Sequence, residues 1–306
     1  MLCIVVMSAL RYRFRMNLSA LRFRDFRIYL GGNLFALNAL WMQRVTIGWL
    51  AWDLTSSASF VGFMAFINFL PSVIIGPFFG VLIDRVRVKE AAKVTQLLSF
   101  MIALGFYLFF TFGFLNEVVL SLLSGLSGLV VSAHSPVRMS MAPRLVDRIS
   151  VASVITIGAI NFNLARLTGP ALAGWMIVVW GVSLALLVQM LCYLPFLFVI
   201  RLLHPRNRLP PETKKEVFMS ALNSGIRHVI KSPLICHSLL ITALYSFLIR
   251  GTLELLPVIA DGLFSKGASG LGLLTSSAGL GALIAGITKA FMPGQISGEL
   301  SKYVLV

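Results

Sequence analysis

An all-α fold that crosses a membrane many times is what this sequence predicts, and three observations carry it. Of 306 residues, 58% are apolar and 12% charged, with a mean hydropathy of +0.90. A soluble domain is about a quarter charged, so the polar surface here is too small to cover a water-soluble globule. Apolar runs near the roughly 20 residues needed to span a bilayer recur along the chain. Lysine and arginine concentrate in alternate connections between those runs.

Eight spans are predicted in order. The first, 28–50, follows a basic arm and ends before DLTSSAS, where Asp53 and Thr55 supply capping and turn chemistry. The second, 60–83, runs apolar until Asp84 and Arg85 stop it. The third is 92–114. The fourth, 118–135, is short and rich in small residues (SLLSGLSGLVVSA), which suits a tightly packed helix. The fifth and sixth, 151–178 and 183–203, are followed by 234–257 and 269–290. Glycines and prolines inside these runs, such as Pro71, Gly76, Pro77, Gly169, Pro170 and Pro195, are tolerated in membrane helices.

The charge of +15 is a topology signal and not a nucleic-acid footprint. Segments 1–27, 84–93, 136–150 and 201–231 hold six, four, three and seven basic residues, whereas the intervening connections hold Lys266 alone. This alternation places the N-terminus and the 204–233 linker in the cytoplasm and the spans in a plasma (bacterial inner) membrane, where anionic lipid attracts the basic connections. The expected domains are a cytoplasmic arm (1–27), a six-helix bundle (28–203), a cytoplasmic linker (204–233), the first two helices of a second bundle (234–290) and a tail (291–306). Within the linker, EVFMSALNSGIRHVIKSP suits an interfacial amphipathic helix.

Residues 1–10 place their apolar stretch before Arg11, Arg13 and Arg15, the reverse of a secretory signal, and a start at Met7 or Met16 is an alternative. Cys3, Cys192 and Cys236 lack metal-ligand spacing, and His134, His204, His228 and His237 form no ligand pair. No metal site, cofactor or enzyme chemistry is expected. An internal repeat relates Ala58-Ser59-x-x-Gly62 to Ala268-Ser269-x-x-Gly272, and the same offset of 210 places Gly76 on Gly286. Spans seven and eight thus read as the start of a second copy of the first half. On that reading, four more helices would follow residue 290, and the tail is too polar to supply them.

The apolar run that ends at Ile83 leads into Gly80-Val81-Leu82-Ile83-Asp84-Arg85-Val86-Arg87-Val88-Lys89. This resembles the loop motif between helices two and three of the major facilitator superfamily. Segments 23–55, 136–154 and 161–174 resemble the exporter branch that includes enterobactin and macrolide efflux proteins, with the chain ending after the eighth helix. The resemblance makes Gly80, Asp84, Arg85 and Lys89 a gating motif. Gly80 would permit close helix approach, and Asp84, four residues on, would meet a facing helix N-terminus. Ordinary basic decoration of an inner loop is the alternative. Ala165-x-x-x-Gly169-Pro170-x-x-x-Gly174 resembles the antiporter motif of proton-coupled exporters, against the alternative of a packing seam with a proline kink.

Arg44, Arg166, Arg250 and Glu254 lie inside spans, where charge is costly and usually faces water or a partner. Arg44 falls on Glu254 at the offset of 210. Glu254 is the candidate proton carrier, with the arginines tuning it or binding an anionic or polar substrate; structural ion pairing or snorkelling is the alternative. The sequence has no G-x-x-x-x-G-K-[ST] phosphate loop. The resemblance implies proton-coupled efflux of a small amphipathic molecule (a drug, macrolide or siderophore-like compound) by alternating access. The only energy source it calls for is a proton gradient. Its partners are that substrate, protons and lipid, with no nucleic acid. A truncated, non-transporting fragment and a membrane scaffold or regulatory partner are the competing readings.

Overall fold

The computed structural model describes residues 18–206, 227–246, 248 and 251–291, without the side chains of residues 81, 84, 85, 286, 287 and 289–291. Most of the N-terminal arm, linker residues 207–226, Arg250 and the tail from 292 lie outside that description, as does most of the expected amphipathic helix. Among the described residues every regular element is helical.

Helix α1 (Arg24–Thr55) is the inner post of the first bundle. Its mid-helix polar residues Asn33, Asn38, Gln43 and Thr46 are buried inside the protein. Gln43 Nε2 donates to Ser127 Oγ at 3.0 Å, the Tyr193 hydroxyl donates to Gln43 Oε1 at 2.9 Å, and Thr168 Oγ1 donates to Asn38 Oδ1 at 2.7 Å. Buried polar groups that find such partners specify one packing arrangement and cost little.

The expected span 60–83 is two helices, α2 (Ala58–Ile74) and α3 (Gly76–Arg85), broken at Ile75. Pro77 cannot donate to a continuing helical ladder, and it takes a first-turn position in α3 where no donor is needed. Helix α4 spans Val88–Thr111. Helix α5 (Glu117–Met141) begins where Asn116 Oδ1 caps the Val119 N–H, and it runs past Pro136.

Helix α6 (Val151–Leu191) is interrupted at Gly181, whose φ of 84° and ψ of 170° suit glycine alone. Ile177 and Ala185 pack together beside this break. Val154 shares a cluster with Ile200 and Leu203 of the segment ending in α7 (Leu194–Leu202). The fifth and sixth crossings are therefore antiparallel. Within the expected span 234–257 the described helices are α8 (Pro233–Tyr245) and α9 (Gly251–Glu254), and a π-helical turn, Val258–Leu263, follows. Helix α10 is Gly267–Phe291.

Segments Val88–Thr111, Glu117–Leu145, Arg148–Leu202 and Gly267–Ala285 are long and apolar enough to cross a membrane, and Ala58–Ile74 and Pro233–Tyr245 are shorter apolar helices. The strongly exposed apolar side chains, such as Val73, Phe66, Val118 and Leu273, fit lipid contact.

The basic connections meet at one end of the molecule. His204 N donates to Asp25 Oδ2 at 3.0 Å, Arg206 pairs with Asp147, Arg206 N donates to the Arg144 carbonyl, and Ala20 N donates to Ser153 Oγ. At the opposite, linker-distal end, Trp52 Nε1 donates to Asp261 Oδ2 at 2.9 Å. The same turn recurs twice there. Ser56 (φ 48°) and Ser265 (φ 51°) each stand two residues before a helix, and each N–H bonds the carbonyl four residues back.

Candidate functional site

Helix α6 packs most heavily against α1 on one side and α10 on the other, which makes it the wedge between the first bundle and the following helices. Small residues set that geometry. Ala165 is fully buried against the cluster of Leu37, Leu40 and Trp41. A Cβ on Gly169 would lie 2.6 Å from the Trp41 Cβ, and one on Gly174 would lie 2.7 Å from the Gly272 Cα. The Pro170 carbonyl lies 3.1 Å from where a Gly272 Cβ would sit, and the Arg166 carbonyl 2.7 Å from where a Gly279 Cβ would sit. The antiporter-like stretch is thus split by direction: Ala165 and Gly169 face α1, and Pro170 and Gly174 face α10. Backbones this close leave no room for intervening side chains.

Between these contacts lies a cavity of about 280 Å³. Arg44 from α1, Arg166 from α6 and Glu254 from α9 all line it, so three of the four intramembrane charges singled out in the sequence converge. Arg250 lies outside the described residues. Arg44 and Glu254 also share a second pocket of about 40 Å³ with Asn68. Residues after α9 fix Glu254 in place. Leu256 and Ala260 join Met42, Val45, Ala173 and Leu271 in one apolar cluster, and Pro257 abuts Gly48.

Aromatic walls complete the site. The Arg44 guanidinium sits 5.0 Å from the Trp41 ring and 4.8 Å from Phe69, while Arg166 sits 5.5 Å from Trp41. Trp41 meets Phe162 edge-on at 5.7 Å, and Arg138 stands 5.5 Å from Phe162. Desolvated cation–ring contacts of this kind are worth on the order of 1–2 kcal/mol each. Sequence reasoning missed Trp41, Phe162 and Arg138. A signal existed: Trp41 precedes Arg44 by three residues and Phe162 precedes Arg166 by four, one helical turn in each case.

The loop motif fares differently. Gly80 and Asp84 do share α3, but a Cβ on Gly80 would meet nothing within 4 Å. The close approach expected of this glycine is therefore not made to any described neighbour. The side chains of Asp84 and Arg85 lie outside the description. Lys89 Nζ donates to the Arg201 and Leu203 carbonyls at 2.9 and 2.7 Å, closing the C-terminal end of α7. A cation there satisfies orphan carbonyls and complements the helix dipole. Among the described residues no group of three or more His, Cys, Asp or Glu side chains is placed to hold a metal.

The sequence pattern of the transmembrane secretion effectors, MFS_3, matches residues 16–301. A staphyloferrin A transporter of Staphylococcus aureus (strain NCTC 8325 / PS 47) is 22% identical over 249 residues, covering 80% of this chain. The matched region spans 62% of the length of that relative. With every described regular element helical, apolar spans and a family match over nearly its whole length, this chain is an integral membrane protein that belongs to the transmembrane secretion effector family of the major facilitator superfamily.

Proposed function

We propose that the chain carries the translocation site of a secondary transporter that exports a small amphipathic molecule by alternating access, coupled to proton influx. The convergence of Arg44, Arg166 and Glu254 on one cavity between the first bundle and the following helices carries this reading. Charges buried in a membrane protein usually mark substrate or ion routes, and transporter sites lie where structural halves meet. Glu254 takes up the driving proton and releases it on the other side. The aromatic walls hold the apolar part of the substrate. The seam of Gly174 and Gly272, the Trp52–Asp261 bond and the Ile177, Ala185 and Ala268 cluster close the linker-distal end, so the cavity opens toward the basic linker, the cytoplasmic side. Asp84 and Arg85 of the loop motif, with Lys89 holding α7, control that opening.

Reconstitution of the purified chain tests this. A substrate-loaded proteoliposome should release its load when a pH gradient is imposed, and Glu254→Gln should abolish the gradient dependence. Gradient-driven flux that is unchanged in Glu254→Gln removes Glu254 from the mechanism. Absence of flux from the wild-type chain supports the fragment or scaffold reading.

A further inference from the structure

We propose that the cavity selects an organic anion, specifically a compact amphipathic molecule bearing a carboxylate, with Arg166 as its anchoring cation and Arg138 on its approach from the linker side. This rests on reading the cavity as a substrate site. The charge inventory is one-sided. Among the described residues, Glu254 is the one acidic side chain lining the cavity, against Arg44 and Arg166. Among the described residues no carboxylate lies within 4.0 Å of Arg166 or Arg138. A cation at membrane depth needs an anion or hydrogen-bond acceptors nearby, and here the described residues supply ring faces to Arg166 and Arg138 instead.

Two orphaned donors reinforce the assignment. Trp41 forms a wall of the cavity, and its indole N–H is buried with no acceptor among the described residues. Arg138 Nε is buried with no acceptor in the same sense. Donors left unsatisfied in the free protein are the complement a carboxylate requires, because it accepts hydrogen bonds and donates none. The rings connect these groups in space: Arg44 and Arg166 both stand over Trp41, Trp41 meets Phe162, and Phe162 carries Arg138. A cationic ladder thus runs from the cavity along the first bundle. A lipophilic ammonium entering the same space would meet like charge. The volume, about 280 Å³, lies just under the roughly 300–1,000 Å³ usual for small-molecule sites, so the bound group is compact. An anion leaving an inside-negative compartment also moves with the membrane potential, which adds an electrical drive to export.

The test is equilibrium dialysis of the full chain in zwitterionic nanodiscs with 2-naphthylacetate and 2-naphthylethylammonium, probes that share a ring and differ in charge. Binding to empty nanodiscs is subtracted. The carboxylate should bind about tenfold or more tighter than the ammonium. Arg166→Gln should weaken carboxylate binding by about tenfold, Arg138→Gln should weaken it too, and Arg166→Lys should keep most of it. Ammonium binding as tight as the carboxylate, binding of neither probe, or wild-type carboxylate affinity in Arg166→Gln overturns the assignment. Carboxylate binding without gradient-driven flux would leave the anion site standing and remove the transporter reading. Gradient-driven flux of the ammonium alone would do the reverse.

Discussion

Replacing Gly174 with alanine adds one methyl group where α6 meets α10. The new Cβ would sit 2.7 Å from the Gly272 Cα and 2.9 Å from the Ala268 carbonyl oxygen. Carbon atoms rest about 3.5–4.0 Å apart, so the two helices must separate locally by roughly 1 Å. Both obstacles are backbone atoms and cannot swing aside as a side-chain tip does. Overpacking of this kind costs about 1–3 kcal/mol. Gly158 in the same helix provides the control, because nothing lies within 4 Å of the Cβ position there. Alanine at 158 gains about 0.5–1 kcal/mol from reduced backbone entropy and better helix propensity. Thermal unfolding of the purified chain in detergent should place Gly174→Ala clearly below wild type and Gly158→Ala at or above it. Equal melting temperatures for the two variants would refute the claim that α6 and α10 meet backbone to backbone.

Three further outcomes follow from individual contacts. Gln43→Ala strands the Tyr193 hydroxyl and Ser127 Oγ in a buried site, so the same melting assay should show a loss of about 2–4 kcal/mol. Lys89→Ala releases the two carbonyls at the end of α7 and should cost about 1–2 kcal/mol, with Lys89→Arg recovering part of it. Trp52→Phe keeps the ring but deletes the bond to Asp261. It should raise labelling, from the linker-distal face, of a cysteine placed at Ala278, which lines the cavity, and unchanged labelling would show that this bond is no part of the seal.

Much of the fold was legible because lipid leaves so few options. Backbone groups in hydrocarbon must bond internally, so long apolar runs become helices. The breaks were less legible. Pro71, Gly76 and Pro77 lie within a few residues of one another, and prolines are common in membrane helices, so composition did not reveal that the ladder fails at Ile75 rather than at Pro71. The apolar run 234–257 gave no local signal of the π-helical turn that begins just beyond it at Val258. Charge at membrane depth is costly enough to stand out, so Arg44, Arg166 and Glu254 could be found from sequence, and they share a cavity. Trp41 and Phe162 stand one helical turn before Arg44 and Arg166, but that spacing shows neither that Trp41 also meets Arg166 nor that Phe162 meets Arg138, contacts made across the bundle. Gly80 meets no described neighbour. Motif position suggested tight packing there, whereas the described glycines that meet another helix's backbone include Gly128, Gly169, Gly174, Gly272 and Gly279.

Alternating exposure of the cavity is best tested at Thr275, which lines it from α10. A Thr275→Cys variant, with Cys3, Cys192 and Cys236 replaced by serine, would be exposed to a membrane-impermeant thiol reagent in right-side-out and everted vesicles. Without a gradient, reaction should occur from the linker side, and an imposed proton gradient should shift part of it to the opposite face. Reaction from neither face, or from both faces regardless of the gradient, would contradict a translocation site between the two sets of helices.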